Sequence, residues 1–264
     1  MKLSIITINY NDVAGLKRTV DSVKKQTWIE YEHIIIDGGS SDGSEEYLQE
    51  HEQYFSYWVS EPDGGIYNAM NKGVLQAKGD YLLMLNTGDI LHNEQVLHQV
   101  FHNTNRYEDI IYGDVDRESK GLVFTESIFP DSLSFGFLRN GMISHQAVFF
   151  KKSLHDEVGL YDETIKYGAD WYFITLAVCK YNASYIHLKM KMAICNADGL
   201  TSSPKEFAAM ATERTTVLRR EFPGFIDDYL LFDKIEDSKL ANKLKRGSSK
   251  VIDTAKGVVK KILK

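Results

Sequence analysis

The stretch from Glu61 to Asp89, EPDGGIYNAMNKGVLQAKGDYLLMLNTGD, constrains the fold most, because it packs a turn, a helix and a buried strand into one fixed succession. Pro62 lacks an amide donor and Gly64-Gly65 turns freely, so the opening is loop rather than helix. Ile66, Ala69, Met70, Gly73, Val74 and Ala77 recur at helical spacing, which predicts one inward-facing side, and Gly79 is the expected stop. Tyr81-Leu82-Leu83-Met84-Leu85 is a nearly continuous apolar run, as in a strand covered on both faces. It breaks in Asn86-Thr87-Gly88-Asp89. In open α/β sheets ligands bind beyond the carboxyl ends of the strands, so Asp89 stands where a metal or phosphate-handling group belongs. From position alone, a plain turn reads equally well.

The alternation continues on both sides. Residues 3–8 form a strand that Asn9-Tyr10-Asn11-Asp12 breaks, and Asp12 can cap a helix to about Gln26 with Val13, Leu16, Val20 and Val23 inward. His33 to Ile36 is a second strand, followed by Asp37-Gly38-Gly39-Ser40-Ser41-Asp42-Gly43-Ser44, where Asp42 or Ser44 caps a short helix to about His51. Phe55 to Val59 is a strand, Asn93 to about Asn103 a helix, and Asp109 to Tyr112 a strand ending in Gly113-Asp114. This alternation through residue 115 predicts a parallel sheet of βαβ units. Three strands then end in an acid: Asp37, Asp89 and Asp114. One strand-end Asp is usually a turn residue or cap, but three at one edge repel unless a cation or ligand hydroxyls lie between them. Beyond this point Gly121 to Phe137 is mixed and aromatic, and Ile143 to Phe150 reads as a strand bearing Ser144-His145-Gln146. Asp170 to Lys180 reads as a helix, Tyr185 to Met192 as a strand, and Pro204 to Phe222 as a long amphipathic helix.

Several classes are excluded. No P-loop, proper dinucleotide fingerprint, His-Glu-x-x-His or Gly-x-Ser-x-Gly occurs. A net charge of −6 argues against nucleic acid. Cys179 and Cys195 are too few for a disulfide framework and lack metal-ligand spacing, which fits a reduced, cytoplasmic compartment. The chain enters a strand at once, so no signal peptide is expected, and no apolar run approaches the ~20 residues of a membrane span.

Five motifs now carry a resemblance. They are Ser4-Ile-Ile-Thr-Ile-Asn-Tyr-Asn11, Ile36-Asp-Gly-Gly-Ser-Ser-Asp-Gly-Ser44, Asn68-Ala-Met-Asn-Lys-Gly73 with Gly79-Asp-Tyr-Leu, Ser144-His-Gln-Ala-Val-Phe-Phe150, and Gly168-Ala-Asp-Trp171. Together they resemble family 2 inverting glycosyltransferases over roughly residues 2 to 180. Glu61-Pro-Asp-Gly-Gly-Ile-Tyr67 is similar to the form found in enzymes of bacterial exopolysaccharide, capsule or O-antigen assembly.

The resemblance implies an α/β protein of GT-A (nucleotide-diphospho-sugar transferase) fold, with a mostly parallel central sheet flanked by helices. It would form one domain over residues 1–225, a nucleotide-sugar half to about 115 and an acceptor half beyond, followed by a helical extension at 226–264. It implies a hexosyltransferase-type enzyme using a UDP-, GDP- or dTDP-linked donor. Asn9 and Tyr10 would line the base pocket, Asp37 would sit beside the nucleoside, and Asp63 and Asn71 would face nucleotide or ribose. Asp89 would hold Mn²⁺ or Mg²⁺ against the diphosphate, and Asp170 would be the general base. Departures stand out. Asn86-Thr87-Gly88-Asp89 replaces Asp-x-Asp-Asp, Gly38 replaces a second Asp, Met70 stands where Arg is common, and Ala169 replaces the Glu before the base. No Gln-x-x-Arg-Trp occurs, so single-sugar transfer is expected.

Each residue has a plainer reading too. Asp170 suits a helix N-cap as well as a base. His145 could reach diphosphate or acceptor, or be a satisfied core histidine. Asp114 could bind sugar hydroxyls or close a turn, and Lys72 could meet phosphate or solvent. The thinned Asn-Thr-Gly-Asp motif also allows a degenerate transferase acting as a nucleotide-sugar-binding or scaffold subunit. A nucleotidyltransferase would need a Gly-rich, basic loop after the first strand, and Asn9-Tyr10-Asn11-Asp12 is not one.

The last segment differs in charge. Glu236 to Lys264 holds nine Lys/Arg and three Asp/Glu, a local +6 that leaves −12 on the remainder of the −6 total. Val251, Ile252, Ala255, Val258, Val259, Ile262 and Leu263 form a helical stripe with lysines mostly off it. That is the pattern of a basic amphipathic helix on an anionic membrane surface, peripheral on the inner face of the plasma membrane, where a polyprenyl-linked acceptor would lie. The same stripe could instead pack on the domain or in the seam of a homodimer.

Overall fold

The computed structural model describes residues 3–102, 106–197 and 204–237. The chain divides into one compact unit through Glu213 and a second that begins at Arg214. The first half alternates as the pattern demands: β1 (Leu3–Asn9), α1 (Val13–Lys24), β2 (Tyr31–Asp37), α2 (Ser44–Glu50), β3 (Tyr57–Ser60), α3 (Ile66–Gln76) and β4 (Tyr81–Met84). There follow β5 (Ile90–Leu91), α4 (Val96–Phe101), β6 (Ile110–Ser119), β7 (Leu122–Ser127), α5 (Phe135–Leu138), β8 (Val148–Lys151) and α6 (Leu154–Glu157). The described part closes with α7 (Ala169–Cys179), β9 (Tyr185–Asn196), α8 (Pro204–Glu221) and α9 (Pro223–Asp237). The expected tail helix at residues 251–263 lies outside the described residues. Among the described residues no helix is long and apolar enough to cross a membrane.

The nine strands form one sheet in the order β3-β2-β1-β4-β8-β6-β9-β5, with β7 on β6. The sheet is parallel across β3, β2, β1 and β4, because each joins the next through a helix that returns the chain to the same starting edge. It is mixed beyond, since β8 runs antiparallel to both β4 and β6. Every residue of β1 and of β4 is buried, as both-face coverage requires. Leu83, Phe149 and Ile111, one from each of three adjacent strands, share a core with Val96, Val100 and Phe101 of α4. Asp12 caps α1 by accepting from Gly15 N at 2.9 Å.

The structure revises several expectations. The strand expected from Ile143 starts only at Val148; His145–Ala147 is a 3-10 turn, which re-aims His145 and Gln146 away from strand geometry. Asp114 is not a strand end. β6 continues to Ser119 because its second half gains β7 and β9 as partners, and Gly113 lets β9 cross closely, where a Cβ would lie 2.7 Å from Met190 O. The α4 helix is shorter than expected, and Asn93 instead closes the turn before it by accepting from Gln95 N. Ser44 opens α2, but the capping position is Gly43 in the left-handed region.

Gly79 is required for a reason other than helix termination. The C-cap of α3 is Ala77, and a Cβ on Gly79 would sit 2.6 Å from Ser4 N and 2.7 Å from Ser4 Oγ. Backbone cannot move aside as a flexible side chain can. Gly79→Ala is therefore expected to destabilise the chain by about 1–3 kcal/mol, read as a lower urea midpoint at unchanged slope; an unchanged midpoint would refute the close approach.

Candidate active site

The loops leaving β1, β2 and β3 are stitched together at the carboxyl edge of the sheet. Asp37 is fully buried, and its carboxylate accepts from Asn9 Nδ2 at 2.6 Å, Ser40 Oγ at 2.5 Å, Ser40 N at 2.9 Å and Ser60 Oγ at 2.6 Å. Asn9 Nδ2 also donates to Ser44 Oγ, while its buried Oδ1 has no hydrogen-bond partner. Asn11, in the left-handed region at φ 50°, accepts from Ser41 N, and Asp42 accepts from Val13 N. Asn9 and Asp37 thus shape the rim of the site, while Tyr10 lies 69% exposed on it. The serines of this knot carry no ligand signature in sequence beyond their clustering after Asp37.

Asp63 reaches the same rim from the β3–α3 loop and accepts from Gly65 N through Oδ1 at 2.8 Å. Asn71 does not face it. Its amide donates to Tyr161 O and Glu163 Oε1 and accepts from Tyr161 N, so a residue expected at the nucleotide instead ties α3 to the 161–163 loop. Lys72 pairs with Glu61 at 2.7 Å. Asp114, expected at sugar or acceptor, accepts from Phe129 N through Oδ1, which also meets His187 Nε2 at 3.0 Å.

Asp89 is buried in the turn after β4. Its Oδ2 accepts from Gln146 Nε2 at 2.9 Å and its Oδ1 from Asn196 N at 2.8 Å. Thr19 of α1 fixes the turn, donating to Asp89 O and accepting from Gly88 N. Burial pushes the Asp89 carboxyl above its ordinary range, although both hydrogen bonds oppose this. Two further oxygens of the turn, Asn86 Oδ1 and Thr87 Oγ1, are buried without partners. No group of three or more His, Cys, Asp or Glu side chains converges among the described residues. One carboxylate and two uncharged oxygens are the donor types a hard divalent cation prefers, and ligand oxygens would have to complete the set.

Across this turn lies a second buried carboxylate. The N-cap of α7 is Gly168, not Asp170, and Asp170 instead reaches into the site. Its Oδ2 meets His145 Nδ1 at 2.8 Å and its Oδ1 accepts from Tyr67 Oη at 3.2 Å. The other ring nitrogen of His145 meets Asn86 Nδ2 at 3.2 Å. One chain of contacts thus runs Tyr67–Asp170–His145–Asn86, joining α3, α7, the 3-10 turn and the β4 turn. Burial alone would raise the Asp170 carboxyl, but the hydrogen bond and charge of His145 outweigh it and hold the group low. Burial alone would lower His145, but the Asp170 bond and charge, with Asp89 nearby, hold it high. Tyr67 and Gln146 lie within the motifs, yet nothing in spacing alone assigns them these partners.

The family model described as Glycosyl transferase family 2 matches residues 4–156, more than half of the chain. The chain belongs to glycosyl transferase family 2. An uncharacterized glycosyltransferase of Mycobacterium tuberculosis (strain CDC 1551 / Oshkosh) is 39% identical over 183 residues, covering 67% of this chain and 70% of the relative. A PGL/p-HBAD biosynthesis glycosyltransferase of Mycobacterium bovis is 33% identical over 179 residues, covering 64% and 67%. Among solved structures, S. aureus TarS in complex with UDP-GlcNAc superposes at a TM-score of 0.63 with 18% identity, over 83% of this chain and 67% of that one. The mannosyltransferase PcManGT of Pyrobaculum calidifontis, in complex with GDP-Man and Mn²⁺, gives 0.56 and 13%, over 95% and 80%. At these identities the two structures establish the fold, which is GT-A. The protein is a family 2 glycosyltransferase.

The pair Asp170–His145 sets a pH window. A depressed Asp contributes stability above its unfolded value of about 3.9, and loses it as pH falls through the folded value. A raised His contributes below its unfolded value of about 6.5, and loses it as pH rises through the folded value. Both contributions are complete between roughly pH 4 and 6.5. Asp170→Asn is expected to cost about 1.5–3 kcal/mol within that window and less on either side, read by thermal unfolding from acid to mild alkali. A deficit constant across pH would refute the ion pair.

Proposed function

We propose that the protein transfers one sugar from a nucleotide-sugar to a glycan or lipid-linked acceptor with inversion at the anomeric carbon, in assembly of a bacterial surface polysaccharide or glycolipid. The observation that carries this reading is the buried Asp170, held ionised by His145 directly across the turn that bears Asp89. Inversion by single displacement needs a base on one face of the anomeric carbon and a neutralised leaving group on the other. In this reading the acceptor O–H bond breaks as its proton passes to the Asp170 carboxylate, and the oxygen forms the new bond to carbon. The bond from carbon to the diphosphate oxygen breaks, and its electron pair leaves with the nucleoside diphosphate.

Asp89, with the unpartnered oxygens of Asn86 and Thr87, would hold a Mg²⁺ or Mn²⁺ ion; when bound, such an ion supplies positive charge to the leaving diphosphate. Nucleotide-sugars bound to TarS and PcManGT support the donor class, and Mn²⁺ in the latter supports the metal. The PGL/p-HBAD relative supports an acceptor of glycolipid type. The basic C-terminal segment suits an anionic membrane surface, where such an acceptor would be anchored. The single carboxylate of the turn also favours a second reading, a degenerate subunit that binds nucleotide-sugar without turning it over.

Steady-state kinetics separate the two. Asp170→Asn is expected to lower kcat by about 10²- to 10⁴-fold with the donor KM little changed. Asp89→Ala is expected to abolish any response to added Mn²⁺. Full turnover by the Asp170→Asn variant would remove the proposed base. Nucleotide binding without turnover by the unaltered chain, across UDP-, GDP- and dTDP-sugars, would select the subunit reading.

A further inference from the structure

Asp170 is the second residue of α7, so its place depends on how the chain enters that helix. The entry has little local support, because the cap residue is Gly168, which brings no side-chain hydrogen bond to the amides of the first turn. The segment before it is held from outside. At its start Asn71 donates to Tyr161 O at 2.9 Å and to Glu163 Oε1 at 2.8 Å, and Asn68 donates to Glu163 Oε2 at 3.0 Å. Ile165 is buried midway. At its end the anchor comes from α8. Glu213 Oε1 accepts from Lys166 N at 2.7 Å, and Glu213 Oε2 accepts from Tyr167 N at 3.0 Å. Two consecutive amides thus share one carboxylate just before Asp170. Glu213 lies outside the family match at residues 4–156 and outside all five motifs, so neither gives it a part in the reaction.

We propose that Glu213 is a positioning residue for the transfer: by clamping the 166–167 backbone from α8 it sets the entry of α7, and so holds Asp170 where it takes the acceptor proton. The inference rests on the reading of Asp170 as base. The clamp suits that role in kind and in place. Hydrogen bonds from amides to an ionised carboxylate are about twice as strong as neutral ones. Successive amides aimed at one anion fix the backbone between them in direction as well as distance. A surface loop without such an anchor opens locally at little free-energy cost. A general base must stay within hydrogen-bond reach of its proton, and a misplacement of about 1 Å can cost about a hundredfold in rate. Tyr67 and His145 hold the oxygens of Asp170, whereas Glu213 holds the backbone that leads to it. The knot around Asp37 draws nothing from α8, so donor binding is expected to be spared.

Glu213→Ala and Glu213→Gln test this in the full chain, with Val217→Ala as control. Val217 is buried one turn further along α8, and its apolar side chain cannot bond the 166–167 amides, so its truncation weakens the helix without releasing the clamp. Hydrolysis of UDP-GlcNAc, GDP-mannose and dTDP-glucose, with water in place of the acceptor, gives kcat and donor KM. Glu213→Ala is expected to lower kcat about tenfold or more at unchanged donor KM. Glu213→Gln is expected to lose less, because its amide oxygen still accepts, and Val217→Ala is expected to keep kcat. In the Asp170→Asn background the Glu213→Ala loss is expected to vanish, since Glu213 acts through that carboxylate. Urea unfolding runs the same cycle without substrate: Asp170→Asn is expected to cost less stability in the Glu213→Ala chain than in the native one. Equal costs in the two chains, rate losses that multiply independently, or the same kcat loss in Val217→Ala would overturn the proposal. Full turnover by Asp170→Asn removes the base and this proposal with it, whereas a slow Asp170→Asn beside an unimpaired Glu213→Ala defeats this proposal alone. If Glu213→Ala does not fold, Glu213→Gln carries the same comparisons, and if no donor is turned over, the unfolding cycle decides.

Discussion

A fully buried carboxylate holds the nucleotide end of the fold in shape. Removing an ionised Asp from water is costly unless hydrogen bonds replace its hydration. At Asp37 four donors do so, and they come from β1, from the loop after β2 and from β3. The carboxylate can be satisfied only when those three segments are in register at their carboxyl ends. The loop positions that follow, from Tyr10 to Asp63, inherit their places from that requirement. The same logic recurs at Glu32, which accepts from Ser4 Oγ and Lys78 N and thereby fixes the approach of Gly79 to β1.

Much of the parallel half was legible in the sequence, because burial on both faces leaves continuous apolar strands and amphipathic helices between them. The motif stretch around Glu61–Asp89 gave the turn, helix, strand and final carboxylate in their observed order. The second half was harder, for a physical reason. β6 carries Asp114, Asp116 and Glu118 at alternate positions, all buried, and such a run reads as the end of a strand followed by a polar loop. In the structure each acid has a basic partner: His187 for Asp114, Lys191 and His92 for Asp116, and Arg18 for Glu118. Those partners come from α1, from the turn after β5 and from β9, so only tertiary pairing turns a polar sequence into a strand interior.

Candidate site residues divide along the same line. Asp89 and Asp170 could be picked out because each ends or begins an element at the ligand-binding edge. His145 could be picked out too, but not its pairing with Asp170, nor that of Tyr67. His145 lies 25 residues from Asp170 in sequence, and Tyr67 lies 103 away. Asn71 sits in the motif helix, and its amide is engaged by the 161–163 loop, which holds α3 against the segment leading to α7.

Charge balance gives the Asn-Thr-Gly-Asp turn a meaning beyond loss. His145 touches Asp170 through one ring nitrogen and Asn86 through the other. Elsewhere in the same sheet, His187 shows the alternative, with Asp131 on one nitrogen and Asp114 on the other. A carboxylate at position 86 would convert His145 to that second arrangement and place a third acid beside Asp89 and Asp170 in a buried site with one histidine between them. Like charges confined this closely raise one another's pKa, and the carboxylate the reaction needs ionised would be among those affected. Asparagine keeps an oxygen at the turn while adding no charge, so His145 keeps Asp170 as its one carboxylate partner.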